Sequence, residues 1–212
     1  MFWSGIVIWD ISDDIVFISV LFDALQVVKN YIGEKTMNFL EEYKLTEKYP
    51  VISAIDYITK KTNLPSGTYN DGIISILDVN ACVAIMKSWE WKFNNSFIPI
   101  AITAFGDMFL YYVATHHIYY FQPQYDTNDM VTPSVDELFE EALLHPAIKS
   151  GLLQEEKFKE VSNRLGYPKY GDNYILKPWL LLGGTDTPEN YVIGKTTTYF
   201  DLVSQTLKGS ET

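Results

Sequence analysis

The sequence predicts an α+β fold, a mainly antiparallel sheet flanked by helices, with a mostly helical N-terminal part. Three observations carry that prediction. FIPIAITAF (97–105), MFLYYVA (108–114) and HIYYFQ (117–122) are dense in β-branched and aromatic residues and lie close enough together to form a meander. Apolar residues three and four apart, the helical spacing, recur on both sides of this stretch. Gly106-Asp107 separates the first two runs and suits a turn between antiparallel neighbours.

Taken in order, a short helix is expected near 38–44. Pro50 fits the first position of a helix through Lys60, with Val51, Ala54, Ile55 and Ile58 on one face. LPSGTYNDG (64–72) is turn chemistry, and GIISIL (72–77) is short and β-branched, hence a strand. Asp78 caps a helix that ends near Trp89–Trp91, with Val79, Cys82, Val83 and Met86 as its apolar stripe. After the meander, PQYDTNDMVTP (123–133) reads as a polar connection. Ser134-Val-Asp-Glu137 is a capping box, opening a helix whose stripe is Val135, Leu138, Phe139, Ala142 and Leu143. His145-Pro146 ends it. A helix near 155–165 presents Phe158, Val161 and Leu165 and stops at Gly166. YILKPWLLLGG (174–184) reads as an extended buried segment closed by two glycines, and a last helix near 196–207 packs Phe200, Val203 and Leu207.

Residues 1–36 read as an N-terminal extension. MFWSGIVIW lacks a positive n-region, and Asp10, Asp13 and Asp14 interrupt the apolar run, which excludes an ordinary signal peptide. Ser12, Asp13 and Asp14 at one end and Gly33 at the other mark a helix near 13–32, too short in apolar length to span a bilayer. Two readings stay open: a helix packed on the main domain or a partner, or translation upstream of a start at Met37.

Composition narrows the function classes. The 212 residues carry a formal charge of −11, from 27 acidic and 16 basic side chains. Such a surface disfavours nucleic acid as a direct ligand and favours a basic macromolecular partner. Arg164 is the only arginine, so bidentate phosphate clamps are scarce. Cys82 is the only cysteine, so no intrachain disulfide or cysteine-based zinc cage forms. A hydrophobic fraction of 47% with 15% aromatics supports a real core.

No constellation of side chains announces catalysis. His116 and His117 are adjacent at a strand start, where neighbours point to opposite faces, so they do not chelate one ion. Glu141 and His145 are four apart on the expected helix, a spacing that could seat two ligands or a hydrolytic pair, but nothing completes a site. Cys82 sits in an apolar stripe and reads as a structural thiol. Gly183-Gly184 lacks the lysine of a phosphate loop and reads as a tight turn. No catalytic residue, metal site or cofactor is therefore expected. Asp136, Glu137, Glu140 and Glu141 cover the outer side of the helix after Ser134, and Asp126 and Asp129 on the preceding loop extend the same acidic stretch. Solvated carboxylates suit a basic partner better than general acid–base work, which needs burial. These six are the candidate partner-binding residues.

Several segments also resemble a family. FIPIAITAFGDMFLYY (97–112), HIYYFQPQ (117–124) and YILKPWLLLGGTDTPENY (174–191) resemble the C-terminal domain of type VI secretion immunity proteins that protect against DNase effectors. Trp91, Phe97, Pro99, Ile100, Ala101, Gly106 and Asp107 match one motif of that family, with wider tryptophan spacing. Pro178, Leu180, Leu182, Gly183 and Gly184 match the other. LPSGTYNDGIISILDVNACVAIMKSW (64–89) is similar to the GAD-like domain usually joined to it, here abbreviated, and the SMI1/KNR4 immunity fold is a neighbouring resemblance.

The resemblance implies a GAD-like part over 37–92 and an immunity C-terminal domain over 93–212, packed as one unit. It also implies a cytoplasmic inhibitor without enzymatic activity, which binds a cognate secreted toxin, a basic nuclease, and occludes its active site or substrate groove. No membrane or nucleic-acid partner follows from it. A small carboxylate/histidine hydrolase and a general interaction adaptor are the alternatives.

Overall fold

The computed structural model describes residues 39–59 and 64–210, and the helix expected near 13–32 lies outside them. Among the described residues one antiparallel sheet takes its strands in strict chain order. They are β1 (Leu45–Lys48), β2 (Gly67–Tyr69), β3 (Ile74–Ile76), β4 (Phe97–Thr103), β5 (Met108–Tyr112), β6 (Ile118–Gln122) and β7 (Thr127–Thr132). A separate hairpin pairs β8 (Asp172–Leu176) with β9 (Tyr191–Lys195). Helices are α1 (Phe39–Glu42), α2 (Ala54–Thr59), α3 (Val79–Phe93), α4 (Val135–Glu140), α5 (Pro146–Gly151), α6 (Glu155–Leu165) and α7 (Thr196–Ser210). The expected α+β class with a mainly antiparallel sheet is the observed one.

The expected meander becomes β4, β5 and β6, paired from Phe97↔Tyr112 to Met108↔Phe121, with a register shift between Pro99 and Ala101. Three further strands are found: β2 where turn chemistry was expected, β7 where a polar connection was expected, and β1 where no element was assigned. β1 and β2 are short, and β7 arises within the expected polar connection 123–133 because β6 pairs with it from Gln122↔Thr127 to Ile118↔Thr132. β7 closes one edge of the sheet and β1 the other.

Each face of the sheet is covered by helices. Phe121 meets Trp89 of α3 edge-on at 4.9 Å, and α7 packs beside α3 through Trp91 Nε1–H donating to Ser204 Oγ at 2.7 Å. On the opposite face Tyr69 meets Phe39 of α1 at 5.2 Å, and Phe39 meets Phe139 of α4 at 5.0 Å. The buried rings Trp89, Phe109, Phe121 and Phe200 centre this core. Each such side chain contributes about 2 kcal/mol by leaving water.

Four local expectations are corrected. The helix after Pro50 starts at Ala54, because Ser53 Oγ accepts the Asp56 N–H at 3.1 Å while Ala54 N–H donates to Leu77 O at 2.8 Å. The chain before Ala54 is thus held beside β3 rather than coiled. Helix α3 runs on to Phe93 and buries Cys82, Ile85, Trp89 and Phe93, leaving Val83 72% exposed. The large rings at the C-terminal end set its rotation. The helix after Ser134 breaks at Glu141 (φ −130°, ψ −63°), and α5 follows a short 3-10 turn. The 174–184 segment is extended only to Leu176; a 3-10 turn then exposes Leu181 and Leu182. Gly184 closes that loop, since a Cβ there would stand 1.9 Å from Pro178 O.

Candidate partner-binding surface

The six carboxylates expected to bind a partner fall along the β7 edge. Ser134 starts α4 with its Oγ accepting from Glu137 N–H at 3.1 Å, which confirms the capping serine. Val135, Leu138 and Phe139 turn inward, so Asp136 and Glu140 project into solvent, Glu137 is half-buried, and Glu141 is exposed at the helix break. Asp129 is not on a loop: it is an exposed residue within β7, opposite Tyr120. Asp126 occupies the β6–β7 turn with a left-handed φ of 54° and holds Lys92 of α3 at 2.7 Å. Six residues of strand separate Asp126 from the α4 end of β7, about 20 Å. The structure therefore gathers Asp136, Glu140 and Glu141 at one end, places Asp129 between, and sets Asp126 at the other end, tied to a lysine.

The stretch has another property. Between Lys92 and Lys149 the chain contains no lysine or arginine and seven carboxylates. Six of the seven, all but the buried Asp107, lie on β7, the turn before it and α4, which carry no lysine or arginine of their own.

Asp107, expected in the turn between two strands, sits there in a buried network. Ala104, Phe105, Gly106 and Asp107 are all buried. Tyr174 N–H donates to Ala104 O at 2.7 Å, and the Phe105 ring meets Tyr174 and Tyr191 at 5.7 and 5.2 Å. Hairpin β8–β9 therefore roofs the turn. Asp107 Oδ2 lies 2.7 Å from the Tyr120 hydroxyl, which is also 3.0 Å from Leu152 O. Burial pushes the Asp107 carboxyl up to about 7, against the lowering effect of Tyr120 and Lys157. A protonated Asp107 donates to Tyr120 Oη and frees the tyrosine proton for Leu152 O, so both groups are satisfied. Lys157 beside it is paired with Asp186 at 2.7 Å, and Asp186 accepts from the Tyr191 hydroxyl at 2.7 Å. This network ties α6 and the loop before β9 to the sheet. It is closed on itself and sits beneath the hairpin, which suits structural rather than substrate-binding use. The sequence signal for it was the Gly106-Asp107 pair: Gly106 takes φ 84°, and a Cβ there would meet Tyr199 and Asn173 at 2.7 Å.

His145 Nδ1 accepts from Ala147 N–H at 3.2 Å and caps α5, so it shares no helix face with Glu141. The helix break at Glu141 thus corrects the single helix face expected for the two residues. His116 lies in the β5–β6 turn with φ 66°, its Nδ1 bonded to the Tyr111 hydroxyl. Cys82 is buried, its thiol donates to Pro99 O at 2.8 Å, and burial raises its pKa. Among the described residues no group of three or more His, Cys, Asp or Glu side chains could hold a metal ion, and no helix is long and apolar enough to cross a membrane.

Residues 133–206, from the start of α4 into α7, match the family model described as "T6SS immunity protein Tdi1, C-terminal". The match supports the immunity family for this part of the chain. It takes in Pro178, Leu180, Leu182, Gly183 and Gly184 and begins downstream of the 97–112 and GAD-like segments. The solved structure of Atu4351 from Agrobacterium tumefaciens is similar in fold, with a TM-score of 0.56 at 16% identity, covering 78% of this chain and 86% of that one. No curated protein sequence matches the chain.

Proposed function

We propose that this chain is an immunity protein that binds a cognate secreted toxin in the cytoplasm and neutralises it by covering its active site or substrate groove. The observation that carries the reading is the match of residues 133–206 to a type VI secretion immunity domain. The charge supports a finer version, in which the toxin is a nuclease. A protein that binds a phosphate backbone is basic, and an antagonist with a formal charge of −11 gains association rate from that. Such an inhibitor needs no catalytic group or cofactor.

The experiment is co-expression with the protein encoded by the adjacent gene. The reading expects rescue of growth and a complex that co-purifies. It also expects association to slow as ionic strength rises, because screening shortens the reach of the field to about 8 Å at physiological salt. A toxic neighbour that this chain neither binds nor suppresses would refute the reading, and a salt-independent rate would refute steering by the acidic edge.

A further inference from the structure

We propose that the patch formed by Phe97, Tyr112, Tyr119 and Met130 is the contact surface for a lysine- or arginine-bearing segment of the toxin. The inference rests on the immunity reading and names where the partner docks. Helix α3 covers its face of the sheet only as far as Phe93, where Asn94 in a left-handed conformation (φ 46°) ends it. The Phe93 ring meets Phe97 at 5.2 Å, and past that contact the sheet face continues as a cluster of rings. Phe97 stacks on Tyr112 at 4.7 Å and meets Tyr119 edge-on at 5.4 Å, while Tyr112 meets Tyr119 at 6.0 Å. All three rings are only half-buried. Tyr119 pairs across the sheet with Met130 on the edge strand β7, and Met130 is 47% exposed.

Stacked aromatics beside an exposed methionine have the composition of an interface centre rather than of a free surface. Charge selects the occupant. The nearest lysine along the chain, Lys92, is held by Asp126, and no other lysine or arginine occurs before Lys149. Asp136 and Glu140, exposed on α4, follow the same end of β7 on the opposite face of the sheet. A cationic side chain arriving at the patch finds ring faces for cation–π contact within a stretch of chain, 93–148, that holds seven carboxylates and no lysine or arginine.

The test measures dissociation constants for the complex with the protein encoded by the adjacent gene, using Met130→Lys, Tyr119→Ala and Tyr119→Phe, with thermal melting of each variant alone. Met130→Lys is expected to weaken binding about thirty-fold, since it sets a cation in the patch, and Tyr119→Ala about tenfold. Tyr119→Phe should bind as the wild type does, because the ring is kept. Met130 is exposed, so its variant decides the matter even where Tyr119→Ala melts early. Unchanged affinity in Met130→Lys overturns the assignment. If affinity instead falls only in Asp136→Lys or Glu140→Lys, the contact is on α4; the patch proposal fails and the immunity reading stands. A wild-type chain that forms no complex brings down both. A homodimer seen by light scattering and lost in Met130→Lys would assign the patch to self-association and overturn the proposal.

Discussion

The two ends of the sheet use similar residues in opposite ways. At the β4–β5 turn, rings and a carboxylate are sealed: Phe105 lies under Tyr174 and Tyr191, and Asp107 is bonded to Tyr120 out of water. At the other end of the same strands, Phe97, Tyr112 and Tyr119 form a cluster that no longer has α3 above it, and Asp136 and Glu140 of α4, past the same end of β7, stand in solvent. The closed end spends its chemistry on stability and the open end leaves it available. What separates them is covering structure: hairpin β8–β9, α6 and α7 reach one end, while α3 stops short of the other.

The largest effect should come from breaking the seal. Gly106→Val combines a left-handed φ of 84° with a Cβ 2.7 Å from Tyr199 and Asn173. It should cost about 3 kcal/mol, a fall of roughly 10 °C in Tm, measured by calorimetry. Wild-type stability in this variant would mean that the hairpin does not press on the turn.

A smaller, pH-dependent effect is expected at Asp107. Its folded pKa is raised to about 7 from an ordinary 3.8, so its protonated form favours the fold. That stabilisation is fully present below about pH 4 and is lost as pH rises through 7. Asp107→Asn mimics the protonated acid and can still donate to Tyr120. It should therefore flatten the slope, gaining about 2 kcal/mol on the wild type between pH 5 and pH 8 in denaturant titrations. Parallel pH profiles would show that Asp107 is ionised in the fold.

The smallest effect on stability belongs to the open end. Asp136→Lys with Glu140→Lys should move Tm by no more than about 2 °C, because both side chains face solvent. The same pair should slow association with a basic toxin about tenfold at low salt, and the difference should shrink as salt is added. A melting loss as large as that of Gly106→Val would erase the contrast between the two ends.

The sequence made the fold class legible where segments carry their own signal. The runs in β4, β5 and β6 hold enough Ile, Phe and Tyr to declare strands, and α6 and the capping serine of α4 were marked by local chemistry. β7 was not legible, since Thr127-Asn128-Asp129 has little strand preference and becomes a strand by pairing with β6. The rotation of α3 departs from the expected stripe for a related reason: Val83 suits a core as well as Ile85 does, and only Trp89 and Phe93 against the sheet decide which is buried. The acidic candidates were visible one by one, while their separation along β7 was not. The aromatic patch was invisible, because its members come from four strands.

By itself, the amino-acid order determined an acidic, single-cysteine chain with an antiparallel meander, flanking helices and a gap in basic residues from 93 to 148. Those are local or additive properties, set by propensity, spacing and charge count. Tertiary structure decided which carboxylate is buried, which rings stay uncovered and where the sheet ends. Burial and exposure depend on contacts between residues distant in sequence, as Asp107 beneath a hairpin formed about 65 residues later illustrates.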